Sequence, residues 1–164
     1  MKAFYFKHLL SFHYPSGTSR GILKQKESWF IVIVQGNKTG IGECSLIEGL
    51  SPDPVKSYEQ ILKTVCENIS DGFENLSLKL NSFPSILFGL ETAFRSFESH
   101  DPLLLFPSAF TKNKDSIAIN GLIWMGEKNF MISQIKEKII LKQLPTAFGQ
   151  SLMNYGIIVI IYLV

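Results

Sequence analysis

Only two cysteines occur in the 164 residues, Cys44 and Cys66. They form no CxxC pair and have no histidine at ligand spacing, which argues against a zinc site or a redox dithiol and fits two ordinary thiols in a reducing cytosol. A dominant charge is missing too. The 16 basic and 14 acidic residues leave a formal charge of +2, and the basic residues are scattered, so the electrostatic footprint of a nucleic-acid binder is lacking. The N-terminal stretch "MKAFYFKHLLSFHYPSG" is interrupted by Lys7, His8 and His13 and lacks the long apolar core and small-residue cleavage site of a secretion signal. A cytoplasmic setting is expected, and the Asn-x-Ser/Thr matches at Asn37, Asn68 and Asn75 then read as chance.

Apolar residues are plentiful: 46% of the chain is hydrophobic and 13 residues are Phe, enough for one core and part of another. "KAFYFKHLLSFHY" (2–14) reads as a strand, and "PSGTSRG" (15–21), with its proline and two glycines, reads as a loop. A second strand at 22–26 precedes a stronger one, "WFIVIVQ" (29–35), which "GNKTG" turns into a short run ending at Glu43. The result is a small antiparallel sheet. Asp53 is a natural N-cap and Pro54 a natural first helical residue, followed by Val55, Tyr58, Ile61, Leu62, Val65 and Ile69 at helical spacing. A further helix starts near Pro84 and carries Ile86, Leu87, Leu90, Ala93, Phe94 and Phe97 on its apolar face. Residues 1–100 are therefore expected to be an α+β domain, a three-stranded meander followed by helices. The proline-punctuated stretch 101–115 is expected to be a linker. Beyond it, "SIAINGLIW" (116–124) reads as a buried strand and 127–139 as a helix with Met131, Ile132, Ile135 and Ile139 facing inward. Strand then helix is the opening unit of a parallel α/β array.

Several stretches carry a family resemblance. "PSGTSRG", "SWFIVIV", "GIGECSLIEGLSPD", "FPSILFGLETAF" and above all "INGLIWMG" with "QIKEKI" resemble o-succinylbenzoate synthase of the enolase superfamily, over residues 2–139 in order and at natural spacings. The resemblance implies an α+β capping domain followed by a (β/α) barrel, with two capping-domain loops folding over the barrel mouth. "PSGTSRG" and "LIEGLSPD" look like those loops. It further implies a Mg²⁺-dependent dehydration of a cyclohexadiene carboxylate in menaquinone biosynthesis, a small-molecule carboxylate as substrate, and substrate contacts from Ser19, Arg20, Gly49, Leu50, Ser51 and Asn120.

The residues agree with a lid on physical grounds of their own. A cover over a cavity needs apolar groups to exclude water and a stiff backbone to hold them; Leu46, Ile47 and Leu50 supply the first, and Pro52 and Pro54 the second. Arg20 taken alone reads as a solvated surface charge, but the resemblance makes it a planar donor fork for a carboxylate. Glu43 is the tempting acid, and the plainer reading is a structural carboxylate accepting backbone hydrogen bonds at a strand end. His8 and His13 stand five apart on a strand, on opposite faces, and are not a ligand pair. Asn120, at the end of the first barrel strand, either touches substrate or caps the following turn.

The family reaction needs a Lys-x-Lys pair on a barrel strand and carboxylates around the metal. "KEK" (136–138) matches the first as a string. On a helix, however, residues two apart diverge by about 200°, so the two lysines cannot converge on one carbon. The resemblance stops at Ile139. Residues 140–164 hold one lysine, Lys142, no Asp or Glu, and the uncharged run "YGIIVIIYLV", which is too short to span a bilayer as a helix. A shifted reading frame or gene disruption is the expectation for this tail. The sequence thus reads as a truncated o-succinylbenzoate synthase, inactive alone and binding no magnesium, with self-association through the apolar tail. The alternatives are half of a split enzyme completed by a separate barrel chain, and a non-catalytic carboxylate-binding module.

Overall fold

The structure is a computed structural model that describes residues 1–18, 21–116, 123 and 126–137. Three antiparallel strands, β1 (Lys2–Thr18), β2 (Gly21–Gln35) and β3 (Lys38–Cys44), form one sheet in the order β1-β2-β3. Helices follow: α1 (Val55–Glu67), a 3-10 turn (Ile69–Asp71), α2 (Gly72–Ser77) and α3 (Pro84–Glu98), with α4 (Lys128–Glu137) after a run of turns. The α+β meander expected from the sequence is present. The expected strand at 116–124 falls almost wholly outside the described residues.

The first hairpin differs from the expectation. The 22–26 segment is not a separate strand but the first part of a 15-residue β2. Most of "PSGTSRG" is likewise not loop, because Ser16, Gly17 and Thr18 pair with Leu23, Ile22 and Gly21. Pairing of both partners outweighs the local turn chemistry. The turn signal is spent instead on a bulge, where residues 12–15 stand against Lys24 alone between the Ser11–Gln25 and Ser16–Leu23 pairs. Pro15 can sit there because a bulged residue need not donate to the ladder.

Alternation along β2 sorts the sheet into two faces. Trp29, Ile31 and Ile33 point inward and are buried, joined by Cys44 of β3 and by Tyr58, Leu62 and Val65 of α1 and Ile86, Leu90 and Ala93 of α3. Each such aliphatic side chain contributes about 1.5–3 kcal/mol by leaving water. An aromatic chain runs through this layer, with ring centroids of Tyr5 and Trp29 5.9 Å apart, Trp29 and Tyr58 6.2 Å, and Tyr58 and Phe83 6.5 Å. The other face carries Phe4 and Phe6, both exposed, with Phe6 stacked on Phe30 at 5.1 Å.

α3 lies directly against β3. A Cβ at Gly42 would run into the Gly89 carbonyl, one at Gly89 into Cys44 Sγ, and one at Gly40 into the Ala93 carbonyl. The contact therefore exists only because these positions carry no side chain. Ser96, buried on the same side of α3, accepts the Ile41 N–H at 3.0 Å and donates to the Pro102 carbonyl at 2.8 Å, which ties the chain after α3 back to the sheet.

Candidate functional site: the 45–53 loop and the β2 flank

The loop after β3 is fixed at both ends. Leu46 is buried in the core, so it belongs to the fold rather than to an exposed cover, contrary to the expectation that grouped it with Ile47 and Leu50. Ile47 is half-buried and Leu50 exposed. Between them the backbone closes on itself: the Ile47 carbonyl accepts the N–H groups of Leu50 at 3.0 Å and Ser51 at 2.8 Å, and the Ile47 N–H donates to Ser51 Oγ at 2.9 Å. Gly49 occupies the apex at φ 78°, a left-handed conformation that glycine adopts freely.

Asp53 ends the loop in a way the sequence did not suggest. It does not cap α1, whose N-cap is Pro54 without a side-chain hydrogen bond. Its carboxylate is buried, and Oδ1 accepts from Ser85 twice, from the N–H at 3.0 Å and from Oγ at 2.7 Å. It serves α3, whose first turn has orphan N–H groups because Phe83 offers no cap. Since Ser85 gives its hydroxyl proton to Asp53, the 2.6 Å contact between Tyr58 Oη and Ser85 Oγ is donated by Tyr58. Burial pushes the Tyr58 phenol well above its usual range, with the Ser85 hydrogen bond opposing it.

Facing the loop is the flank of β2. Leu23, Gln25, Lys26 and Glu27 from the strand, Leu46, Ile47 and Glu48 from the loop, and Val55 from α1 enclose a cavity of about 160 Å³. Ligand pockets that take a whole small molecule usually measure about 300–1,000 Å³, so this space accepts only part of one. At its edge Lys26 Nζ lies 3.3 Å from Glu43 Oε1 and 2.5 Å from Ser45 Oγ. Ser28 Oγ donates to the same Glu43 oxygen at 2.8 Å. Foremost the Ser28 hydroxyl, and after it the Lys26 ammonium, hold the Glu43 carboxyl below the usual carboxylate range against the opposing effect of burial. The charged form of Glu43 is therefore the favoured one. It is a structural carboxylate, as the plainer reading had it, though its partners are side chains of β2 rather than backbone.

Of the six residues singled out from the sequence, the structure places Gly49, Leu50 and Ser51 together at the loop apex, while Ser19, Arg20 and Asn120 lie outside the described residues. Of the "KEK" lysines, Lys136 belongs to α4, and Lys138 lies outside the described residues. Cys44 and Cys66 are free and buried. Sequence reasoning missed both side-chain networks. The first was within reach: the two-residue turn at Gly36 and Asn37 fixes the register Phe30–Glu43, and that register places Ser28 diagonal to Glu43 on one face. The Asp53–Ser85 contact joins residues 32 apart and carries no local signal.

Among the described residues no three His, Cys, Asp or Glu side chains come together as a metal site. Of the carboxylates about the cavity, Glu27 and Glu48 line it, Glu27 pairs with Lys7 at 3.2 Å, and Glu43 at the edge already accepts from Lys26 and Ser28. The described residues therefore do not fit the magnesium site that the resemblance implies. No helix among them is long and apolar enough to cross a membrane.

The sheet, the helices and the loop beside a small cavity define an α+β domain of three antiparallel strands followed by helices. No protein-family model matches the chain. A curated relative, o-succinylbenzoate synthase of Desulfotalea psychrophila, is 31% identical over 170 residues, which cover 85% of this chain and 46% of the relative. The crystal structure of MenC from Desulfotalea psychrophila superposes with a TM-score of 0.65 at 24% identity, covering 95% of this chain and 52% of that one. An enolase family member from Agrobacterium tumefaciens with homology to dipeptide epimerases, solved with sodium and L-Ala-L-Glu, matches at a TM-score of 0.57 and 14% identity over 82% of this chain and 42% of that one. O-succinylbenzoate synthase from Thermosynechococcus elongatus, complexed with magnesium in its active site, reaches a TM-score of 0.50 at 14% identity over 61% of this chain and 31% of that one. The chain belongs to the enolase superfamily, and its meander with following helices is the fold of that superfamily's N-terminal capping domain. Within the superfamily its curated relative is an o-succinylbenzoate synthase, of which it spans about half the length.

Proposed function

We propose that this chain supplies the cover of an o-succinylbenzoate synthase-type active site in menaquinone biosynthesis, a cytoplasmic lyase reaction that dehydrates a cyclohexadiene carboxylate. The single observation behind the reading is that the 45–53 loop and the β2 flank enclose one cavity in a chain 31% identical to an o-succinylbenzoate synthase. A cavity large enough for only part of a substrate suits a cover, with the remaining walls contributed by a barrel.

In this reading Leu50 and Ile47 keep water from the reacting groups, and Gly49 and Ser51 hold the apex in shape. Ser19 and Arg20, between β1 and β2 in sequence, and Asn120 meet the substrate, with Arg20 binding the carboxylate of the substrate. In this reading the described residues cover the reacting groups, while proton abstraction and the metal belong to a barrel. The test is a turnover assay on the cyclohexadiene carboxylate with magnesium, using this chain alone, a barrel fragment of the Desulfotalea psychrophila relative alone, and the two mixed. Activity only in the mixture supports the reading. Turnover by this chain alone, or none in the mixture despite demonstrated binding, overturns it.

A further inference from the structure

We propose that Asp53 is the positioning residue of the 45–53 loop, latching its end to the first turn of α3 so that the apex at Gly49 and Leu50 is held as a preformed surface. The proposal deepens the lid reading and rests on it for its functional meaning. The loop has two anchors of different kinds. Leu46 holds the start by burial in the core. The far end carries no large apolar group: Pro52 and Pro54 are exposed, and α1 begins without a side-chain cap. What fixes it is the Asp53 carboxylate, 4% exposed, whose Oδ1 takes both Ser85 donors at 3.0 and 2.7 Å.

The chemistry suits a latch more than a local cap. Two donors meet one carboxylate oxygen at the positive end of a 15-residue helix, a place that favours an acidic side chain. The Tyr58 hydroxyl steadies Ser85 from α1, so the loop end, α1 and the start of α3 meet at the Ser85 hydroxyl. Oδ2 is buried with no hydrogen-bond partner among the described residues. Half of the carboxylate thus contributes nothing to the link, and an amide would keep one acceptor oxygen while burying an NH2 without an acceptor. Between the anchors, the Ile47–Ser51 turn leaves little slack, so rigidity at Asp53 is transmitted to Leu50.

The test is residue-resolved hydrogen exchange on the full chain and on three variants, Asp53→Ala, Asp53→Asn and Ser85→Ala. The Leu50 and Ser51 amides, bonded to the Ile47 carbonyl, report the loop; amides of Leu62 and Leu90 report the core. We expect Asp53→Ala to speed loop exchange about tenfold or more with the core amides changed far less, Ser85→Ala to give a smaller effect of the same pattern, and Asp53→Asn, which keeps the acceptor oxygen, to fall between Asp53→Ala and the parent chain. Loop exchange unchanged in both Asp53→Ala and Ser85→Ala overturns the proposal, as does a rise in step with the core. If Asp53→Ala does not fold, Ser85→Ala, which keeps the backbone donor, decides the matter. Exchange needs no substrate, so its outcome is independent of the mixing assay, and failure of the latch is distinguishable from failure of the lid reading.

Discussion

Lys26 Nζ and Glu43 Oε1 stand 3.3 Å apart across the β2–β3 ladder, beside the cavity that the 45–53 loop closes. The pair looks catalytic by composition and is structural by environment, because the Ser28 hydroxyl donates to the same Glu43 oxygen. A carboxylate with two donors is stabilised in its charged form and loses its use as a proton donor at neutral pH.

The pH consequence follows from the sign of the shift. The Glu43 carboxyl is lowered from 4.5 in the folded chain, so its contribution to stability is fully present above the unfolded value and is lost as pH falls through the folded one. With the Glu43 side chain 42% exposed, solvent screening keeps that contribution under about 1 kcal/mol. Urea denaturation at pH 7 and near pH 3 should show a smaller acid loss in Glu43→Gln than in the parent chain. An identical loss in both would remove Glu43 from the account.

The contact of α3 with β3 leaves no room for a methyl group at Gly42. Gly42→Ala forces the helix outward and should destabilise the chain by about 1–3 kcal/mol, the range for overpacking, lowering the melting temperature by several degrees. Thr39→Ala, at an exposed site on the same strand, should stay within about 0.5 kcal/mol. Thermal melts followed by circular dichroism compare the two.

Leu46 and Leu50 lie four residues apart in one loop and should behave oppositely. Leu46→Ala empties part of the core, at a loss of about 2–5 kcal/mol. Leu50→Ala changes an exposed side chain and should leave stability within about 0.5 kcal/mol. Under the proposed lid function it should instead weaken turnover in the mixture with a barrel fragment. Chemical denaturation together with that assay separates the two roles.

Burial, before the negative charges nearby, pushes the Cys44 thiol up to about 12, and burial with Glu67 pushes Cys66 up to about 11. Thiolates are the reactive form, so the native chain should react very slowly with a disulfide reagent such as Ellman's at pH 8 and release two equivalents once unfolded. Two fast-reacting thiols in the native chain would contradict the burial of both.

Strong periodicity made the helices legible. α1 and α3 could be placed from Tyr58, Leu62 and Val65 and from Ile86, Leu90 and Ala93, because burial on one face repeats with the helical turn. The hairpin was harder, since the propensity of Pro15, Gly17 and Gly21 for turns is local and the strand pairing that overrides it is not. Asp53 shows the limit most plainly. Its position before Pro54 suits the cap of the next helix, and only the packed arrangement shows that it serves α3 instead. The stiff end of the loop was readable from Pro52 and Pro54, and Gly49, Leu50 and Ser51 as substrate contacts came from the family resemblance alone, whereas the β2 wall of the cavity depends on register.

The glycines at the sheet–helix contact have an effect beyond their own neighbourhood. α3 is a stiff rod, and Gly89 lies one helical turn from Ser85, so the depth at which the rod beds against β3 sets the height at which Ser85 reaches Asp53. Three missing methyl groups at this seam thereby bear on where Ser85 meets Asp53, at the far end of the loop from Leu46. Under the proposed cover function, variation in substrate choice then has a second entry point, the spacing of a hidden seam, with every residue at the cavity left unchanged.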